Sequence, residues 1–374
     1  MNYKYITLAF VAIFLFTTGC KQQSVPDETS YKFSFSEYNQ VLPMESIFES
    51  VEATPLDSKN VPLIGKVGKV ILQNDLFYIH DALNQTILTF DTKGNFIRIL
   101  DKNGKGPGEY LKINDFELNK FDNTIDLMEQ TGMVNQYTHD GQFVDRYFLP
   151  GEIKAVHHFV NLTKDIVVFY NCTTDDRLFY YSRSKNAIIR KEFNQPWSPI
   201  LRNGSPLTRI NDKISFYEGF SNQRYVIDTN GIYDDYKIDL DEYNLFYQDL
   251  ITYGFEKIMN DFASKSLPKA FSFASIENDE YIVSSIRIND TKFHLLINKK
   301  NGSQTGLKAF TNGCLFPEDA DELHGNELIK VIPAYLLDEY IKPKAKDGMS
   351  LPTVDNLSEY DNPVILKYKL KERF

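Results

Sequence analysis

From residue 62 onward the chain is written in short runs of alternating apolar and polar residues, broken by Gly, Asn and Asp. Period-two alternation over such runs predicts strands with one face buried. Residues 74–100, NDLFYIHDALNQTILTFDTKGNFIRIL, read as strand, short loop, strand, tight turn and strand, with Gly94 placed for the positive φ of the turn. The same order recurs in residues 122–149 with Gly141, 164–193 with Asn186, 212–240 with Gly231, and 279–310 with Gly302. Asn186 suits its place because asparagine enters the left-handed region more readily than most residues.

The first four turn residues stand 47, 45 and 45 positions apart, and the next step is 71. A further strand precedes the first three units, in KVGKVIL, LKINDFEL and IKAVHHFV, which makes four strands per repeat. Four-stranded units recurring about every 45 residues predict a β-propeller, in which each sheet buries its faces against its neighbours. The fold class is therefore all-β, with four-stranded antiparallel blades. Five repeats lie between about residues 62 and 310. A sixth blade is expected from both ends of the chain, using NPVILKYKL (362–370) and apolar stretches within 31–56 such as YKFSF and IFESVEATPL. Joining the two ends removes the free sheet edges that invite aggregation.

The long fourth step falls on residues 240–270. There Phe246, Leu250, Phe255, Ile258 and Phe262 recur at helical spacing, which predicts a helical insertion. Such a stripe either packs on the blades or offers a face to a partner. A second helical piece is expected at PAYLLDEYIK, with Pro333 in its first turn.

The beginning of the chain has another character. Lys4 precedes an uncharged run from Ile6 to Phe16, long enough for the apolar region of a signal peptide and too short to span a bilayer. Small residues then lead to Cys20. This divides the chain into a signal peptide (1–19), a lipidated Cys20 with a polar tether (20–30), and a propeller (31–374). The TTGC stretch resembles the lipobox of bacterial lipoproteins, although Phe16 and Thr17 stand where leucine is usual. The resemblance implies cleavage before Cys20 and its acylation, which with more than one chain anchors a protein durably to a membrane.

Composition adds limits. Net charge is −10, which argues against nucleic acid and anionic membrane surfaces as partners. The 28 Phe and 23 Tyr against one Trp suit strands. Besides Cys20 there are Cys172 and Cys314, which either form one disulfide or remain separate buried thiols.

The stretch GKGPGEY (104–110) packs three glycines and a proline between the first and second repeats. It lacks the Lys-Ser ending and following helix of a phosphate loop, so it reads as a connector turning the chain back toward the ring axis. Followed by LKINDFEL, it resembles an NHL-type propeller repeat, whose loop runs G-x-G-x-G-[EQ]-[FY] into an inner strand. With the lipobox, the chain resembles the six-bladed β-propeller lipoproteins of Bacteroides-type bacteria, most firmly over 51–150. Blades three to five keep the strand order and lack the loop. The resemblance implies a propeller on the cell envelope, at the outer membrane.

Because strands alternate in direction, the loop after each second strand and every blade-to-blade connector share one rim. That rim supplies the ligand-binding candidates: His80, Asp81, Glu129, Tyr170, Asn171 and Glu218 from the second-strand loops, and Lys105, Glu109 and Tyr110 from the connector. Each also has a plain role as a solvated or turn-capping loop residue. No complete catalytic constellation is legible. The six histidines form no HExxH, and adjacent His157 and His158 point to opposite faces of a strand. The expectation is a monomeric binding or scaffold module for a glycan, peptide or envelope protein, without a cofactor. The alternative is a metal-dependent lyase or hydrolase, with calcium or zinc held by His80 and Glu129 or Glu218, since NHL-type lyases and lactonases use a metal at the channel mouth.

Overall fold

The computed structural model describes residues 29–151, 156–171, 173–194, 205–217, 222–245, 256–257, 260, 269–289, 291–345 and 348–374. The expected signal peptide, Cys20, Cys172, Glu218 and most of the 240–270 insertion lie outside them.

Six four-stranded antiparallel sheets stand around one axis. Blade one comprises Val67–Gln73, Leu76–Asp81, Thr86–Asp91 and Phe96–Leu100. Blades two to five follow in chain order, opening with Asp115–Asn119, His158–Asn161, Leu207–Ile210 and Ala270–Glu277. Four of the five expected turn residues take the left-handed conformation, Gly94 (φ 87°), Gly141 (79°), Asn186 (49°) and Gly302 (70°), while Gly231 stands at φ 155°.

Blade six is the composite. Glu322–His324, Glu327–Ile332 and Val364–Leu370 form its inner three strands, and Phe48–Pro55 supplies the outermost. Val364–Leu370 runs antiparallel to Phe48–Pro55, from Val364 opposite Pro55 to Leu370 opposite Phe48. The two ends of the domain thus pair with each other.

The YKFSF stretch belongs elsewhere than expected. Thr29–Lys32 adds a parallel fifth strand to the outer edge of blade four, with Thr29 and Ser30 opposite Tyr236 and Lys237. Those two residues end the expected tether and are already part of the fold. A short helix, Phe35–Tyr38, lies on blade five, and Val41–Leu42 pairs with Ala309–Phe310. This segment straps blades four, five and six from outside. Its anchors, Phe33 and Tyr38, are fully buried. It also covers the edge of blade four.

The core lies between blades. Along Leu76–Asp81, Phe77 and Ile79 pack toward Ile329 and Ile365 of blade six, while Tyr78 packs toward Phe116 and Leu127 of blade two. Alternation therefore turns one strand's two faces to two different neighbours. Among the described residues no helix is long and apolar enough to cross a membrane.

Candidate functional site

The six inner strands enclose a central channel of about 1750 Å³. An inner strand has no sheet partner on its axial side, so its backbone N–H and C=O groups need other partners. Charged side chains from adjacent blades provide them. Lys69 of blade one donates to the carbonyl of Phe116 in blade two (2.6 Å). Asp115 of blade two accepts from the N–H of Phe159 in blade three (3.1 Å). Arg209 of blade four donates to the carbonyl of Asn161 in blade three. Glu322 of blade six accepts from the N–H of Leu72 in blade one (3.0 Å).

These side chains form one electrostatic group. Lys69 Nζ lies 3.0 Å from Asp115 and 3.8 Å from Glu117, and Arg209 Nε lies 3.9 Å from Glu117. Burial works against the charge of Asp115, but Lys69 and His158 overcome it and hold its carboxyl at about 2. Glu117 and Glu322 go the other way. Burial raises Glu117 to about 7, against the pull of Lys69 and Arg209. Burial raises Glu322 to about 8, with Asp321 and Glu117 adding to the effect of desolvation.

His80 enters the channel wall from the second strand of blade one. A bulge between Val67 and Val70 leaves it beside Gly68. A Cβ on Gly68 would stand 2.8 Å from His80 Nδ1, so the glycine is what makes room for the ring. The imidazole is 7% exposed and its Nε2 has no hydrogen-bond partner. Burial keeps it neutral by lowering its pKa.

The mouth of the channel is lopsided. In blade one the second-strand loop is the short turn between Asp81 and Thr86. In blade six the same connection runs from Pro333 to Pro363. It carries Ala334–Leu336 and Leu337–Ile341, the expected helical piece, with Pro333 as its N-cap rather than inside its first turn. Tyr335 (64% exposed) and Tyr360 (79% exposed) from this connection line the mouth with Leu63 and Pro317.

The other rim candidates have structural settings. Asp81 is fully buried and accepts from the N–H groups of Gly65, Lys66, Leu83 and Asn84. Tyr110 is fully buried, and its hydroxyl donates to the carbonyl of Gln85 (2.9 Å). Glu109 folds back onto the N–H of Gly106 (2.6 Å) beside exposed Lys105. Glu129 is buried and accepts from the N–H of Leu111 (3.3 Å). Tyr170 packs on Phe216, and buried Asn171 accepts from the N–H of Thr173 (2.8 Å). Of the nine, His80 alone lines the channel among the described residues. Cys314 is buried.

Lys69, Asp115, Glu117, Arg209 and Glu322 escape a reading centred on loops. Their signal is the charged half of an inner strand's alternation, as in DFEL, where Asp115 and Glu117 flank Phe116. Among the described residues no three His, Cys, Asp or Glu side chains are grouped to hold a metal ion.

Comparison with solved structures returns the same architecture. A candidate exported protein of Bacteroides fragilis superposes with a TM-score of 0.72 at 16% identity, covering 92% of this chain and all of the other. A member of the DUF4221 family from Bacteroides vulgatus superposes with a TM-score of 0.53 at 11% identity, over 87% of this chain and 97% of the other. At these identities the likeness is one of fold. No curated protein matches the chain. The profile of a domain of unknown function, DUF4934, matches residues 33–369, and the chain belongs to that family.

Proposed function

We propose that this protein is a non-catalytic binding module that takes a ligand into its central channel through the rim bearing the long blade-six connection. The observation that carries this reading is the lopsided mouth. A ring built only for stability has no need of a second-strand loop this long, and this loop sets two exposed tyrosines over a polar channel. Long connections of this kind are disproportionately functional.

The proposed setting is the cell envelope. The sequence before the fold has the form of a signal peptide (1–19) followed by Cys20, and a structural neighbour is named as a candidate exported protein. Acylation at Cys20 would tether the propeller at the outer membrane, its rim free to meet a glycan, a peptide or an envelope protein.

Capture from solubilised native envelopes tests the reading. The tagged protein and a Tyr335→Ala/Tyr360→Ala variant are compared by mass spectrometry and glycan analysis of what each retains. Loss of a specific component from the variant supports the channel mouth as the site. Equal capture by both overturns it. Cys20→Ser, followed by membrane fractionation, tests the anchor separately.

A further inference from the structure

The polar groups of the channel divide into those already engaged and those left open. Asp115 is engaged by Lys69 and the N–H of Phe159. Glu117 is not: its nearest cations, at 3.8 and 3.9 Å, are beyond hydrogen-bonding distance, and among the described residues no donor reaches it. Glu322 uses one oxygen on the N–H of Leu72. His80, more than nine-tenths buried, leaves Nε2 without a partner in the channel wall. Glu117 and Glu322 are partly exposed to the channel with hydrogen-bonding capacity unspent, while His80 Nε2 in its wall is buried without a partner, a cost that fits a ligand site.

We propose that the channel binds a neutral polyhydroxylated ring, the terminal sugar of a glycan, through Glu117, Glu322 and His80, with the adjoining sugar against Tyr335 and Tyr360. This rests on the channel being the ligand site. Charge decides between ligand classes. A cationic group beside Glu117 would also lie close to Lys69 and Arg209. An anionic group would face Asp115, Glu117 and Glu322. Hydroxyl groups add no net charge, can donate to or accept from Glu117 and Glu322 in either protonation state, donate to the imidazole, and accept from Lys69. The volume of about 1750 Å³ exceeds that of a typical small-ligand pocket and leaves space for more than one ring. The exposed tyrosines offer flat faces for the apolar side of a pyranose.

Calorimetric titration of the purified protein tests this with three probe sets: neutral hexose and N-acetylhexosamine oligomers, hexuronate oligomers, and oligolysine. The expected result is binding of a neutral oligomer alone. Glu117→Gln, checked for an unchanged thermal transition, should weaken it about ten-fold or more, as loss of one charge-assisted hydrogen bond does. Tyr360→Ala should weaken the oligomer and spare the single sugar. Preference for hexuronate or oligolysine overturns the inference, as does neutral-sugar binding indifferent to both Glu117→Gln and Glu322→Gln. Failure of all three sets overturns it too. In that case tyrosine-dependent capture from envelopes would leave the channel reading standing, and tyrosine-independent capture would remove both.

Discussion

Tyr38 lies directly on Gly306. A Cβ added to Gly306, on the outermost strand of blade five, would stand 2.5 Å from Tyr38 Cβ and 2.6 Å from its Cα. The tyrosine ring also meets Phe293 edge-on at 5.3 Å. The strap that binds blades four to six from outside therefore seats through one missing side chain. Gly306→Val should lift the strap and cost roughly 1–3 kcal/mol, the usual range for overpacking. A shift of the urea midpoint to lower concentration checks it. An unchanged midpoint would mean that the strap adds nothing to the stability of the ring.

Lys69→Met should destabilise far more than its partial exposure suggests. The methionine keeps the aliphatic stem but leaves Asp115 buried without its ammonium partner and the carbonyl of Phe116 without its donor. Removing one member of a buried pair costs roughly 3 kcal/mol or more. Asp115→Asn in the same chain should recover part of the loss by neutralising the stranded charge. A double-mutant cycle in chemical denaturation measures this, and additive losses would show that the two residues act apart.

Acid and base should each destabilise the channel, through different carboxyl groups. Glu322 titrates near 8 in the folded chain against an ordinary 4.5. The folded state thus holds the proton more tightly, and stability should fall as pH rises from about 4.5 to 8. Asp115 titrates near 2 against 3.8, so its contribution is present above 3.8 and is lost as pH falls toward 2. Glu322→Gln preserves the acceptor for the N–H of Leu72 and should flatten the loss on the alkaline side. Thermal unfolding across pH reads both limbs. A wild-type stability that rises from pH 5 to 8, with no change in Glu322→Gln, would contradict the assignment.

Much of this architecture is legible in the residues. Period-two alternation, spaced turn residues and a stray C-terminal strand are local signals, and they suffice for a six-bladed ring closed by its ends. The path of YKFSF is not local. Alternation marks Tyr31 and Phe33 as one buried face, but which blade receives them depends on a parallel pairing with residues some two hundred positions away. The site shows the same divide. Loop positions can be placed on a rim from strand direction alone, yet whether a rim residue faces ligand or caps its own turn depends on hydrogen bonds such as those that consume Asp81. The channel charges were hidden because an inner strand's axial neighbours belong to other blades. The enlarged blade-six connection is hidden because the two inner strands preceding it, Glu322–His324 and Glu327–Ile332, are short and stand apart from the 45-residue spacing of the other repeats.

The glycine loop at 104–110 gives a last test, because it separates a connector from a ligand loop by experiment. None of its seven residues lines the channel. Gly108 has φ 74°, and a Cβ there would stand 2.8 Å from Phe143 Cγ, while its carbonyl accepts from the hydroxyl of Tyr137 (3.0 Å). Gly108→Ala combines a left-handed backbone with a clash against a ring, and should cost roughly 1–2 kcal/mol or more. Gly104 differs. The three atoms nearest a Cβ there all belong to the Glu109 carboxylate, which can swing aside at the loss of its bond to the N–H of Gly106, so Gly104→Ala should cost less. Glu109→Gln keeps an acceptor for the N–H of Gly106 and should change stability least of the three. If the loop serves only to turn the chain from blade one into blade two, all three variants that remain folded should retain every component captured by the unaltered protein. Loss of that capture in Glu109→Gln, with its unfolding midpoint unmoved, would return the loop to the list of ligand contacts.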